Sequence, residues 1–283
     1  MHLQVFDRVQ DFLKVTQKTL EANESANNLI LGISFQLRDD PTRYQDPPFL
    51  AAVLDDQDQV ALGAVMTGRF PVILQSDSNS EEAVRLLVTH LIKKVIYISG
   101  VNGQAVLSDL FTRLWSAHTG QSYHLSTALR TYELREVSLP PLPPGKFRMA
   151  DPQDLETLKA WYLAFQFESV SQETRSTDAS HIIRAVEHET VFVWEVEDRL
   201  VSMALLTRPT VHAITVSGVY TPPAERNRGY ASACVATLSR YCLDAGYSYV
   251  NLFTDLANST SNAIYQRIGY RPVCDYHQVS FNL

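Results

Sequence analysis

The sequence predicts an α/β protein of two units, on three observations. Apolar segments of strand length alternate with stretches whose apolar residues recur at helical spacing. Four prolines within the eight residues 138–145 interrupt this alternation near mid-chain. Beyond them an apolar, β-branched segment breaks at Pro222-Pro223 and restarts as a helix behind Arg226-Asn227-Arg228-Gly229. A chain of 283 residues has ample length for two cores of ordinary size.

Residues 5–21 carry Val5, Phe6, Val9, Phe12, Leu13 and Leu20 near helical spacing and read as an amphipathic helix, with 27–35 as a second short one. Residues 39–48 are polar and bounded by proline, hence a loop. Residues 49–54 and 60–67 read as strands around the turn Asp55-Asp56-Gln57-Asp58, and 70–74 as a third. A helix opening on a capping residue is expected over 80–94, then a strand over 95–99, a helix over 102–118, and one long or two short strands over 123–137.

The prolines of 138–145 fix φ and remove amide donors, so this stretch reads as an extended connector, with a partner-binding PxxP site as the other reading. The expected division is 1–137, a linker at 138–145, and 146–283. In the last part 147–149 opens a strand, and 151–167 is an amphipathic helix with Leu155, Leu158, Trp161, Tyr162 and Phe165 on its apolar side. Residues 177–186 make a second helix. A hairpin over 191–196 and 200–207 turns at Glu197-Asp198-Arg199, followed by a strand over 212–221, a helix over 232–243 and a strand over 249–254.

The junction at 219–232 reads as a phosphate cradle. Helix N-termini leave several N–H groups without intrahelical partners, and the macrodipole adds partial positive charge. Gly229 permits close backbone approach, Ala231 is small, and Arg226 and Arg228 supply full charges.

The run Arg226-Asn227-Arg228-Gly229-Tyr230-Ala231 resembles the pyrophosphate loop of the GNAT superfamily of acyl-CoA-dependent N-acyltransferases, R/Q-x-x-G-x-G/A. The block from Asn258 through Ser261, Asn262 and Tyr265 to Gly269-Tyr270 resembles that family's second signature. The resemblance covers roughly 145 to the C-terminus. It implies a mixed, mostly antiparallel sheet in which the strands at 212–221 and 249–254 lie parallel and splay apart to admit a pantetheine arm. The element order of residues 1–137 is similar to that of this fold, so the chain is expected to hold two tandem GNAT-like domains. The first is expected to be degenerate: Gln75-Ser76-Asp77-Ser78-Asn79 stands where the second has arginines and glycine, and acidic and hydroxyl groups would not hold a pyrophosphate. An unrelated α/β domain is the alternative.

The resemblance implies acetyl-CoA as cosubstrate and transfer of an acyl group to a primary amine by direct attack. It places the cofactor-binding residues at Val219, Tyr220, Thr221, Arg226, Asn227, Arg228, Gly229, Tyr230, Ala231, Ser232, Asn258, Ser261 and Asn262. Val219 is expected to offer its N–H to the thioester, while Tyr220 and Thr221 pair with pantetheine amides through main chain. Tyr265 is expected to protonate the departing thiolate, since a phenol stays protonated at neutral pH. A helix-capping role competes for Asn258, and a packing role for Tyr265.

Members of this family often carry a carboxylate base on the strand before the cradle, but 212–220 holds no Asp or Glu. Glu168 is the candidate instead, with Glu173 and His212 behind it. Trp161, Phe165, Phe167 and Tyr220 could line an apolar acceptor pocket or belong to the core. A non-catalytic acyl-CoA-binding regulator is the competing reading.

Composition narrows the partners. A formal net charge of −7 argues against nonspecific nucleic-acid binding; it is compatible with cationic amines, whether small molecules or peptides, and equally with plain solubility. Three cysteines without CxxC spacing fit a reducing compartment and neither a disulfide framework nor a zinc site, so no metal is expected. The opening MHLQVFDRVQDFLK mixes charge with apolar residues and reads as folded structure, and no apolar run reaches membrane-spanning length. The expected location is cytoplasmic, without membrane partners, and a homodimer stays open.

Overall fold

Alternation of apolar side chains along the strands decides the layering. In the computed structural model, which describes every residue except Asp77, Glu173 and Leu283, the chain divides into two units. One comprises Met1–Arg130 with Cys274–Leu283, the other Thr131–Val273.

The first unit runs β1 (His2–Phe6), α1 (Val9–Glu21), α2 (Asn28–Asp39), β2 (Phe49–Leu54), β3 (Val60–Met66), β4 (Val72–Gln75), α3 (Glu81–Lys93), β5 (Gly100–Gln104), α4 (Ala105–Thr119) and most of β6 (Tyr123–Leu134). The second runs β7 (Lys146–Met149), α5 (Leu155–Ser169), α6 (Ser180–Glu187), β8 (Val191–Val196), β9 (Arg199–Thr207), β10 (Ala213–Tyr220), α7 (Tyr230–Asp244), β11 (Tyr249–Asp255), α8 (Ser259–Ile268) and the start of β12 (Arg271–Phe281). The order of elements is the same in both.

The pairs β1–β2, β2–β3, β3–β4, β5–β12, β7–β8, β8–β9 and β9–β10 are antiparallel, whereas β4–β5 and β10–β11 are parallel. Both sheets are therefore mixed and mostly antiparallel, as expected. In the second unit successive strand residues serve opposite faces. Phe192, Trp194, Ala204 and Leu206 pack with Val235 and Leu238 of α7, whereas Val191, Val193, Met203 and Leu205 pack with Leu158, Tyr162 and Ile182 of α5 and α6. The first unit repeats the scheme, with α3 and α4 on one face and α1 and α2 on the other.

Several elements differ from expectation. The first helix starts at Val9, because Val5 and Phe6 belong to β1, which pairs antiparallel with β2. The strand expected over 95–99 is instead the turn that closes α3 and an irregular connection to β5. Val95 takes φ +54°, with Val95 N–H bonded to Ile92 and Ile96 N–H to Leu91, the pattern of a Schellman cap on a β-branched residue. The strand lies one step later, in Gly100–Gln104, where propensity disfavours it. Packing explains the choice: a Cβ on Gly100 would collide with the Val279 carbonyl, and one on Gly103 would lie 2.8 Å from the Leu74 carbonyl. Glycine is what lets β12 and β4 close on both sides of β5.

The segment 138–145 falls inside the range of the second unit, which begins at Thr131. β12 has no counterpart in the expectations. Its residues Tyr276–Ser280 pair antiparallel with Gln104–Gly100, placing the greater part of the C-terminal strand in the first unit. No described helix is long and apolar enough to cross a membrane.

Candidate functional site

The site is built where β10 and β11 part. Their parallel register holds from Ala213↔Tyr249 to Val216↔Leu252, after which the strands run on separately to Tyr220 and Asp255. Just beyond the last pair, β10 carries a bulge: Ser217 opposes Leu205 and Tyr220 opposes Met203, so Gly218 and Val219 together face one residue of β9. Gly218 takes φ +56°, and a Cβ there would lie 2.6 Å from a methyl of Leu205. This glycine re-aims the backbone at Val219, and the sequence reading passed over it, although a lone glycine inside an apolar strand is a bulge signal.

β10 leads through Thr221 and a short 3-10 turn, Pro223–Glu225, into the loop before α7. Asn227 and Gly229 both adopt left-handed backbone, at φ +64° and +83°. No side chain caps α7 at its N-terminus and no acidic residue occupies its first turn. The leading N–H groups of α7 therefore lack both intrahelical and side-chain acceptors. The corresponding helix of the first unit is built differently: Ser80 accepts from the Ala83 N–H at 3.3 Å, and Glu81 and Glu82 fill the first turn.

A cavity of about 830 Å³ opens on this helix end. Of the sequence-predicted residues it is lined by Glu168, Val219, Tyr220, Thr221, Arg226, Asn227, Gly229, Tyr230, Ala231, Ser232, Asn258, Ser261 and Tyr265. Ser169, Glu225, Ser259, Thr260, Ala263, Ile264 and Arg267 line it too, and the sequence reading did not single them out. Most of those sit on α8 beside motif residues, so helical spacing from Asn258 and Tyr265 was the available signal.

Two of the predicted cofactor-binding residues stand outside the lining. Arg228 is bound to Glu225 at 3.0 Å. Asn262 is consumed within the fold, accepting from the Tyr132 hydroxyl at 2.8 Å and donating to the carbonyls of Asp255 and Asn258. Asn258 caps α8, accepting from Ser261 N–H at 3.0 Å, so the capping role holds alongside its place in the lining.

Tyr265 is buried at the foot of the cavity. Desolvation pushes its phenol up to about 12, against a hydrogen bond with Ser261 that pulls the other way. It packs edge-on against Tyr270, whose hydroxyl shares a 2.8 Å hydrogen bond with Ser239 of α7. Gly269 ends α8 at φ +113°, where a Cβ would lie 2.6 Å from the Glu136 carbonyl. The Gly269-Tyr270 pair thus fixes the helix that carries Tyr265.

Glu168, near the end of α5, reaches the opposite wall. Its Oε2 accepts from Arg226 Nη2 at 2.6 Å, and its Oε1 from the Tyr220 hydroxyl at 3.4 Å. Burial raises the Tyr220 phenol, and the Glu168 charge adds to it. His212 lies just before β10, at the end away from Tyr220, and does not line the cavity. Glu173 lies outside the described residues. Trp161 and Phe165 pack partly buried against the cluster of Leu158, Tyr162 and Tyr220, while Phe167 is 74 % exposed under the Arg175 guanidinium. None of the three lines the cavity.

A second concavity of about 730 Å³ is lined by Lys146, Arg148, Asp154, Glu195 and their neighbours. Its charges satisfy one another, Arg148 bridging Asp154 and Glu195 at 2.6 Å each. Among the described residues no group of three or more His, Cys, Asp or Glu could hold a metal ion.

A mixed sheet parted between two parallel strands, with an uncapped helix at the parting, is the framework of the site. Residues 155–270 match the model of the acetyltransferase (GNAT) family. That family carries out acyl transfer, and its acetyltransferases use acetyl-CoA. Solved structures share the fold across almost the whole chain. A protein from Drosophila superposes with a TM-score of 0.70 at 12 % identity, covering 99 % of this chain and 98 % of its own. A GCN5-related N-acetyltransferase from Sphaerobacter thermophilus gives 0.62 at 15 %, covering 99 % and 95 %. A GNAT-family acetyltransferase from Colwellia psychrerythraea gives 0.59 at 10 %, covering 99 % of each chain. This coverage is consistent with two tandem GNAT-like domains. No curated protein matches the chain by sequence.

Proposed function

We propose that the chain is an acetyl-CoA-dependent N-acetyltransferase that moves an acyl group onto a primary amine by direct attack. One observation carries this reading: the uncapped, left-handed entry to α7 opens into the same cavity as the buried phenol of Tyr265. The N–H groups of Tyr230, Ala231 and Ser232, aided by the left-handed turns at Asn227 and Gly229, would hold a pyrophosphate. Val219 would offer its N–H to the acyl carbonyl from within the bulge, and the main chain of Tyr220 and Thr221 would take the pantetheine amides as an added strand.

The remaining steps belong to side chains. Glu168, facing the cavity, would bind the acceptor ammonium and take its proton, directly or through water. Tyr265, kept neutral by burial, would give its proton to the departing thiolate. The acceptor is then a cation, a small amine or a peptide amine, and neither nucleic acid nor a membrane surface is required. The first unit, whose equivalent helix is capped and acidic, would serve as a structural partner without a cosubstrate of its own.

The test is acetyl-CoA binding by calorimetry on the full chain, followed by thiol release with a panel of primary amines. Tyr265→Phe is expected to keep acetyl-CoA affinity and to lower the rate roughly 10^2- to 10^4-fold. Binding without thiol release on any amine would favour a regulator that only holds acyl-CoA, and absence of binding would overturn the cradle.

A further inference from the structure

We infer that Arg226 is a positioning residue for the acceptor side of the site rather than a ligand of the cosubstrate phosphates. This rests on the acyltransferase reading above. The Arg226 guanidinium is committed twice: Nη2 donates to Glu168 Oε2 at 2.6 Å, and Nε donates to the Thr221 carbonyl at 2.9 Å. Glu168 stands near the C-terminal end of α5, and Thr221 directly follows β10. One planar group therefore ties the end of that helix to the end of the strand that carries the bulge. Because its donors form a rigid fork, two such bonds fix direction as well as distance.

The other oxygen of Glu168 accepts from the Tyr220 hydroxyl at 3.4 Å, and the Arg226 guanidinium carbon lies 5.8 Å from the Tyr220 ring centre. Glu168 is thus held from two directions. Without those bonds a glutamate on the last turn of a helix, beside an exposed Phe167, would sample several rotamers. The phosphate cradle does not call on Arg226, since the α7 amides and the left-handed Asn227 and Gly229 supply donors of their own. A guanidinium already matched to a carboxylate also gains little by exchanging one anion for another.

The experiment measures acetyl-CoA affinity by calorimetry and, separately, kcat and KM by thiol release with glycine, spermidine and tyramine as acceptors. It compares the full-length wild type with Arg226→Gln, Arg226→Lys, Glu168→Gln and the Arg226→Gln/Glu168→Gln pair. Arg226→Gln is expected to keep the acetyl-CoA Kd within about threefold while kcat/KM for the amine falls roughly ten- to a hundredfold. Arg226→Lys, which keeps the charge without the fork, should recover part of that loss. The double variant should be no worse than Glu168→Gln alone, because Arg226 acts through Glu168.

An Arg226→Gln protein that loses acetyl-CoA affinity tenfold or more with amine kinetics intact would overturn the inference and return Arg226 to the phosphates. Fully additive losses in the double variant would also overturn it. A wild type that binds no acetyl-CoA and releases no thiol would instead bring down the acyltransferase reading, and this inference with it.

Discussion

Tyr265 shows how one burial decision sets chemistry. Its ring is enclosed by α8 and by Tyr270, and desolvation disfavours the phenolate. The ordinary phenol value of 10 is pushed up to about 12, so the folded chain holds this proton more tightly than the unfolded chain does. The raised value fixes the sign: the stabilisation is fully present below pH 10 and is lost as pH rises from 10 towards 12. A general acid of this kind works wherever it remains protonated. The rate of acyl transfer should therefore show no alkaline fall from Tyr265 below about pH 10. A kcat profile from pH 6 to 10.5 checks this; a fall centred near pH 8 that vanishes in Tyr265→Phe would contradict the assignment of a buried phenol.

Among the elements, the entry to α7 shows what a helix end can forgo. A missing N-cap costs about 1 kcal/mol, which is tolerable where a ligand supplies the acceptors. Gly229 sits at φ +83° with open space around the position of a Cβ, so its requirement is conformational and not one of packing. Gly229→Ala should destabilise the fold by about 1–2 kcal/mol through left-handed strain alone, and should weaken acetyl-CoA binding several-fold by turning the first amides of α7. Thermal unfolding and calorimetry separate the two effects; unchanged affinity would mean that the loop amides do not touch the cosubstrate. The loop was legible in sequence because glycine, proline and a following helix are local signals. The engagement of its arginines was not, since Glu168 lies 58 residues from Arg226 and only the folded chain brings them to 2.6 Å. Nor was β5, where Gly100 and Gly103 contradict local propensity and are explained by the carbonyls packed against them.

For the whole molecule, the last strands are the decisive feature. Each unit takes in a strand from the other half of the sequence: β12 pairs with β5 in the first, and the end of β6 neighbours β11 in the second. Asn251 of β11 donates to the Tyr132 carbonyl at 3.2 Å, and Val279 and Phe281 of β12 join the cluster around Phe111 and Trp115. Sequence patterning reveals that a strand exists, and here it did not reveal even that for β12; which sheet a strand completes is a long-range choice outside any local window. The proline stretch at 138–145 looks like a place to cut the chain in two, and the pairing says otherwise. A fragment of residues 1–141 would lose the strand covering β5 along with two buried apolar side chains worth about 1.5–3 kcal/mol each, a large part of what a domain has to spare. A fragment of 142–283 would lose the neighbour of β11 and carry β12 without its partner. Neither should unfold cooperatively alone, whereas the two expressed together should associate one-to-one and recover acetyl-CoA binding. Size-exclusion chromatography and calorimetry on the separate and combined fragments decide it: two monomers, each unfolding cooperatively on its own, would show that the exchanged strands are dispensable.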